Sequence, residues 1–298
     1  MPITAANGLQ LAWDRFGDAG PPVFLIMGIG AQRVFWPTPL CEALAARGLQ
    51  VIRFDNRDVG ESTRLDHLGL PRVGPLTAKA LLGVRITAPY TLDDLADDTL
   101  ALATALGAPQ AHFVGASMGG MVAQHLALRH PHAVRSLTSI MSTTGDRRFL
   151  SRDPRALAAL LAPRPTTREA AIDGLVDMLR VLHGDALPFD AAGVRTLAAQ
   201  AFDRGPSPSG FGRQWLAILA SGNRTRRLAA VRAPTLVLHG DRDPLIPFAA
   251  GEATARAIPG ARLVRLAGMG HTLPVEKHGE IVDAIAAHVL AAEARPPA

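Results

Sequence analysis

The sequence predicts an α/β protein: a mostly parallel sheet with helices on both faces, and a helical insertion ahead of one of its last strands. Three observations carry this. Short continuous apolar runs of strand length recur along the chain, as strands buried on both faces should. Helical patterns fall between them, the alternation that builds a parallel sheet. From about residue 145 to 228 the alternation lapses, and only helix signals remain.

The elements follow in order. Ile3 to Ala5, the turn Asn7-Gly8, and Leu9 to Trp13 read as a β-hairpin. Val23 to Met27 is a buried strand that ends in Gly28-Ile29-Gly30. Val51 to Phe54 is a second, followed by a polar turn from Asp55 to Ser62. Residues 63–90 form a long connection of no clear structure. Leu92 to Leu106 is helical, with Asp93, Asp94, Asp97 and Asp98 near the start, where the helix dipole favours them. His112 to Val114 is a third strand, Met118 to His130 a helix apolar nearly all round, as a buried helix is, and Leu137 to Met141 a fourth strand. Within the insertion, Asp153-Pro154 reads as a cap with proline at the first helical position. Thr166 to Glu169 fits a capping box for a helix over 170–182. Residues 205–210 read as a loop, and Phe211 to Leu219 as an apolar helix. Thr235 to His239 and Leu263 to Leu266 complete the strands, and Ile281 to Leu290 is a terminal helix. The expected organisation is a core over 1–144, a helical cap over 145–228, and the rest of the core over 229–298.

Composition removes several function classes. A chain of 298 residues that is 48% hydrophobic is not disordered. The net charge of +5 does not indicate nucleic acid. The only lysines are Lys79 and Lys277, and the densest basic group, Arg224, Arg226 and Arg227, has no interleaved aromatic residues to stack on bases. No apolar run reaches membrane-spanning length, and the first eleven residues do not read as a signal peptide. Cys41 is the single cysteine, which points to a reducing, cytoplasmic setting. No histidine or carboxylate cluster has metal-ligand spacing, so no metal is expected.

The chemistry sits at strand ends. Gly115-Ala116-Ser117-Met118-Gly119 is a G-x-S-x-G between a buried strand and a buried helix, the context in which a serine hydroxyl stands exposed on a sharp turn. A serine is a poor nucleophile alone; it needs a base, and the base needs an acid to orient it. After Ser117 the chain offers Asp241 and Asp243 just past one strand, and His271, flanked by glycines, just past the next. These lie at carboxyl ends of strands, where catalytic groups gather in open α/β sheets. Asp243 is favoured as the acid because Pro244 keeps it extended; Asp241, expected to cap the turn, stays as the alternative. His125, His130 and His132 read as structural or solvated, and His239 as bonded to backbone. Two backbone N–H donors are needed for an oxyanion; Met118 and Ile29 are the candidates.

These landmarks resemble the α/β-hydrolase superfamily over nearly the whole chain. Pro234 to Gly240 with Asp243, and Gly268 to His271, follow the serine motif in its order. Asp55 to Ser62 is similar to the superfamily's D-x-R-G-x-G-x-S loop, with Asp58 where glycine is commoner. Met27-Gly28 replaces the frequent His-Gly. Both departures resemble the branch that contains aclacinomycin methylesterase. The resemblance implies a serine carboxylesterase without a cofactor. Triad-based lactonase, acyltransferase, perhydrolase and carbon–carbon bond hydrolase chemistry stay open, as does a ligand receptor on the same fold.

The substrate pocket is expected from Gly28, Phe35 and Trp36 beside the oxyanion loop and from large apolar cap residues, Met178 and Trp215 above all. An uncharged, apolar small-molecule ester is the expected substrate. The cap arginines Arg148, Arg152, Arg180 and Arg213 are expected to be mostly solvated.

Overall fold

A computed structural model of the chain describes residues 2–69, 72–149, 151, 153–163 and 165–295. Eight strands form one sheet: β1 (Ile3–Ala6), β2 (Leu9–Phe16), β3 (Pro22–Ile26), β4 (Gln50–Phe54), β5 (Ala111–Ala116), β6 (Val134–Ile140), β7 (Thr235–Gly240) and β8 (Arg262–Leu266). Their order is β1-β2-β4-β3-β5-β6-β7-β8. The hairpin β1–β2 and the β2–β4 pair are antiparallel; all later neighbours run parallel. The register aligns Ile26 with Gly115, Ala116 with Ile140, and Gly240 with Leu266. The loops that leave β3, β5, β7 and β8 therefore open on one edge of the sheet.

Alternation along β3 shows why the strand is apolar throughout. Phe24 and Ile26 pack against the face covered by α3 (Leu92–Ala105) and α4 (Met118–Arg129), with Leu95, Leu102, Val122 and Leu126. Val23 and Leu25 face the other side, with Leu40 and Leu44 of α1 (Thr38–Ala45) and Ile281 and Ile285 of α10 (His278–Glu293). Successive strand residues point to opposite faces, and both faces are covered. The acidic start of α3 serves the packing: Asp93 bonds His125 Nδ1 at 2.6 Å and Asp97 bonds His130 Nε2 at 2.7 Å, so both histidines are structural.

Between β6 and β7 stand α5 (Pro154–Leu161), α6 (Arg168–His183), α7 (Ala191–Asp203) and α8 (Pro208–Ser221). Asp153 caps α5 as expected, accepting the Arg155 N–H at 2.8 Å. The capping box at Thr166 does not form. The helix starts at Arg168 with Thr167 at its cap, no side-chain cap bond is made there, and Glu169 pairs with Arg168 and Arg195 instead. The 205–210 loop is shorter than expected, because α8 begins at Pro208 with Ser207 accepting the Gly210 N–H. The connection over 63–90 contains a helix, α2 (Val73–Leu81), which Gly74 and Pro75 mask in the sequence. It packs on α8 around Ala80, Ile86 and Leu216. The remaining helix, α9 (Phe248–Ala257), follows β7.

Candidate active site

Ser117 sits between β5 and α4 with φ 55°, a left-handed conformation that few non-glycine residues adopt. The glycines around it make the turn possible. A Cβ on Gly119 would lie 2.0 Å from Ile26 O, and one on Gly115 2.1 Å from Gly119 O. The turn is pinned on both sides of the serine: Ser117 N–H donates to Ile140 O at 2.9 Å, and Ser142 Oγ donates to Ser117 O at 2.7 Å. Strain of this kind persists only where the surroundings over-determine it.

Ser117 Oγ lies 3.0 Å from His271 Nε2, and His271 Nδ1 lies 2.7 Å from Asp243 Oδ2. The other Asp243 oxygen accepts the N–H groups of Leu245 and Ile246, both at 2.8 Å. With both oxygens engaged the carboxylate cannot rotate, and it selects the tautomer in which Nδ1 carries the proton and Nε2 faces the serine. His239 stands behind it, bonded to Ile246 O at 2.9 Å, and burial pushes it below the usual histidine value. Asp241 is turned elsewhere. It accepts the Gly268 N–H at 2.7 Å and pairs with Arg265, whose guanidinium holds it below the usual carboxylate range. Asp241 therefore braces the turn after β8, and Asp243 alone of the two meets the histidine.

The histidine loop also leans on the insertion. His271 N–H donates to Leu182 O at 2.7 Å, at the end of α6, and a Cβ on Gly270 would lie 2.2 Å from His183 O. The turn after β3 approaches from the other side: a Cβ on Gly28 would lie 3.2 Å from that of Ser117. Asn56 Nδ2 donates to Met27 O at 3.1 Å, and Gly30 N–H donates to Gln214 Oε1 at 2.7 Å. Ile29 thus sits in a turn held at either side, and Met118 opens α4 directly after the serine.

These groups border a cavity of about 760 Å³, within the range of small-molecule sites. Ser117, His271, Gly28, Ile29, Phe35 and Met178 line it. Two expected wall residues do not. Trp36 is fully buried in the core with Leu40 and Leu44. Trp215 packs toward α2, its Nε1–H donating to Thr77 Oγ1 at 2.8 Å. Apolar spacing on a helix marks a buried face without saying what buries it.

Arg213 is not solvated. It is fully buried, grips Asp58 through two 2.8 Å bonds, and shares that carboxylate with Tyr90 Oη at 2.8 Å. Arg148 and Arg180 are exposed, and Arg152 lies outside the described residues. Neither this network nor Gln214 shows in the sequence; the one signal is Asp58 at a position where the resembling loop carries glycine, here with φ 67°. Among the described residues no group of three or more histidines, cysteines or carboxylates is placed to hold a metal ion. No described helix is long and apolar enough to cross a membrane. The Cys41 thiol is buried, which pushes it up to about 12.

Comparison with known proteins settles the family. The profile of the α/β hydrolase fold matches residues 21–278. The chain belongs to this family. It is 30% identical over 299 aligned positions to rhodomycin D methylesterase DnrP of Streptomyces peucetius, with 94% of each chain covered. A putative carbamate hydrolase, RutD of Azorhizobium caulinodans, is 29% identical with 89% of each covered. Among solved structures, an enol-lactonase from Burkholderia xenovorans superposes with a TM-score of 0.72 at 22% identity, over 97% of this chain and all of that one. The α/β-hydrolase architecture and the likeness to the methylesterase branch thus both hold for this chain.

Proposed function

We propose that the protein is a serine hydrolase that cleaves carboxylic esters through an acyl-enzyme, with Ser117, His271 and Asp243 as its triad. The observation that carries the reading is the unbroken line of hydrogen-bond distances, 2.7 Å and 3.0 Å, from Asp243 through His271 to a serine that borders the cavity. Ser117 Oγ attacks the ester carbonyl carbon while its proton passes to His271 Nε2. The Ile29 and Met118 N–H groups stabilise the oxyanion that forms. Collapse breaks the bond to the alkoxide, which leaves as the alcohol with the proton from His271. Water then attacks the acyl-enzyme by the same route and releases the acid. Asp243 stabilises the imidazolium throughout without taking its proton.

Substrate selection falls to the cap over residues 145–228. Its Met178, Leu179 and Phe211 turn mostly apolar surface to the cavity, which favours an uncharged ester. A methyl ester of a bulky apolar acid is the form supported by the likeness to rhodomycin D methylesterase. A receptor on this fold would have no use for an aligned base and acid. A cytoplasmic setting accords with the single, buried cysteine.

Hydrolysis of a nitrophenyl ester series, with an initial burst of nitrophenol equal to the enzyme present, is the expected result. Absence of ester turnover in folded protein would remove the reading.

A further inference from the structure

Gln214 reaches from α8 to the turn after β3, and it is fully buried. Its Oε1 accepts the Gly30 N–H at 2.7 Å and its Nε2 donates to Arg57 O at 2.8 Å. One side-chain amide thus joins the turn that carries Ile29 to the loop over 55–62. Each backbone group it serves would be left unpaired without it, so the amide fixes both segments at once. Its neighbours on α8 add to the hold. Gly30 has φ 63°, and a Cβ there would lie 2.7 Å from the Phe211 ring. Arg213 clamps the helix itself to Asp58, in the same loop that Gln214 touches.

We infer that Gln214 is a positioning residue for the oxyanion site. By taking the Gly30 N–H it sets the orientation of the turn, and so keeps the preceding Ile29 N–H directed at the carbonyl oxygen of an ester on Ser117. The inference rests on the esterase reading above. It gives the insertion a part in the chemistry besides substrate choice. An oxyanion donor acts on charge that develops in the transition state, so its misplacement lowers turnover far more than substrate binding.

The test compares wild type, Ser117→Ala, Gln214→Leu, Gln214→Glu and Trp215→Ala on one nitrophenyl ester, with the affinity of a boronic acid that forms a tetrahedral adduct as a second readout. Gln214→Leu should lose about ten- to a hundredfold in kcat with KM held within about threefold, and the boronic acid should weaken in parallel. Gln214→Glu keeps an acceptor for Gly30 and should retain more kcat than Gln214→Leu. Trp215→Ala, on the same helix but facing α2, should lower the melting temperature and keep kcat within about threefold. If Gln214→Leu does not fold, Gln214→Glu carries the comparison, with a loss of kcat and of boronic acid affinity that exceeds that of Trp215→Ala. Unchanged kcat and boronic acid affinity in whichever of these variants folds, or losses no larger than those of Trp215→Ala, would overturn the assignment. Full activity in Ser117→Ala would overturn the esterase reading instead.

Discussion

The two walls of the cavity are made differently. On the core side, the groups that can do chemistry stand at the ends of β3, β5, β7 and β8, and each is held by hydrogen bonds. Ser117 is pinned by Ile140 and Ser142, Asp243 by two amides, and His271 by Leu182 O. On the opposite side, α6 and α8 present the apolar side chains of Met178, Leu179 and Phe211 to the cavity. Polar groups that must meet within a few tenths of an ångström need a rigid frame; apolar groups that need only exclude water do not. The contrast implies that reaction and preference are separable. Changes on the core wall should remove turnover for every ester, and changes on the cap wall should reorder the esters. Gln214 crosses the divide, since it belongs to the cap and serves the core wall.

The largest effects fall on the core wall. Ser117→Ala and His271→Ala should each lower kcat by about a millionfold, because the triad acts as a unit, with circular dichroism and melting temperature near wild type. Asp243→Asn should lower kcat by about ten-thousandfold through the wrong histidine tautomer. Asp241→Asn loses only the charge of an exposed pair with Arg265 and keeps an oxygen for the Gly268 N–H, and should stay within about tenfold of wild type. Steady-state kinetics of the two aspartate variants measures the difference directly; reversal of their order would assign the acid to Asp241.

The cap wall should respond more weakly and in another way. Met178→Ala should shift the ratio of kcat/KM for medium and short acyl esters by about tenfold, the scale of one to two buried methylenes. Trp215→Ala should leave that ratio alone. A ratio that moves equally in both variants would mean that the cap acts as one deformable body and not through the side chains on the wall.

The smallest effect concerns stability. His112 lies fully buried on β5 beside Ser136, and burial pulls it down to about 4. Burial also lowers His125, His239 and His288. A histidine whose folded value is depressed stays neutral while the unfolded chain takes up a proton, so stability is complete above about 6.5 and falls as pH drops toward 4. The melting temperature should therefore decline steadily over that window, and His112→Gln should flatten the decline. These histidines belong to the core side, so the acid loss should be the same for a Met178→Ala protein.

How much of this the sequence shows differs between the same two regions. Strands β3, β5 and β7 are continuous apolar runs, and the residues with chemistry stand directly at their ends, so local pattern and function coincide. Pro244 directly follows Asp243 and so marks it off from Asp241 in sequence, and the two part company in space as well. The cap offers no such coincidence. Met178 and Trp215 have the same apolar periodic setting, and only tertiary packing sends one to the cavity and the other to Thr77. Trp36 neighbours Phe35 in the chain, yet Phe35 lines the cavity and Trp36 is buried in the core. Gln214 and Arg213 find Gly30, Arg57 and Asp58 across more than 150 positions of sequence, a distance over which no periodicity reports. Buried polar partners of that kind are set by the assembled fold, not by local propensity.

Covalent trapping tests the central claim most directly. Wild-type protein treated with an alkyl fluorophosphonate should gain a single adduct by intact mass, on the peptide that contains Ser117, and His271→Ala should label far more slowly because the serine has lost its base. Labelling on another residue, or equal labelling of Ser117→Ala, would contradict the account.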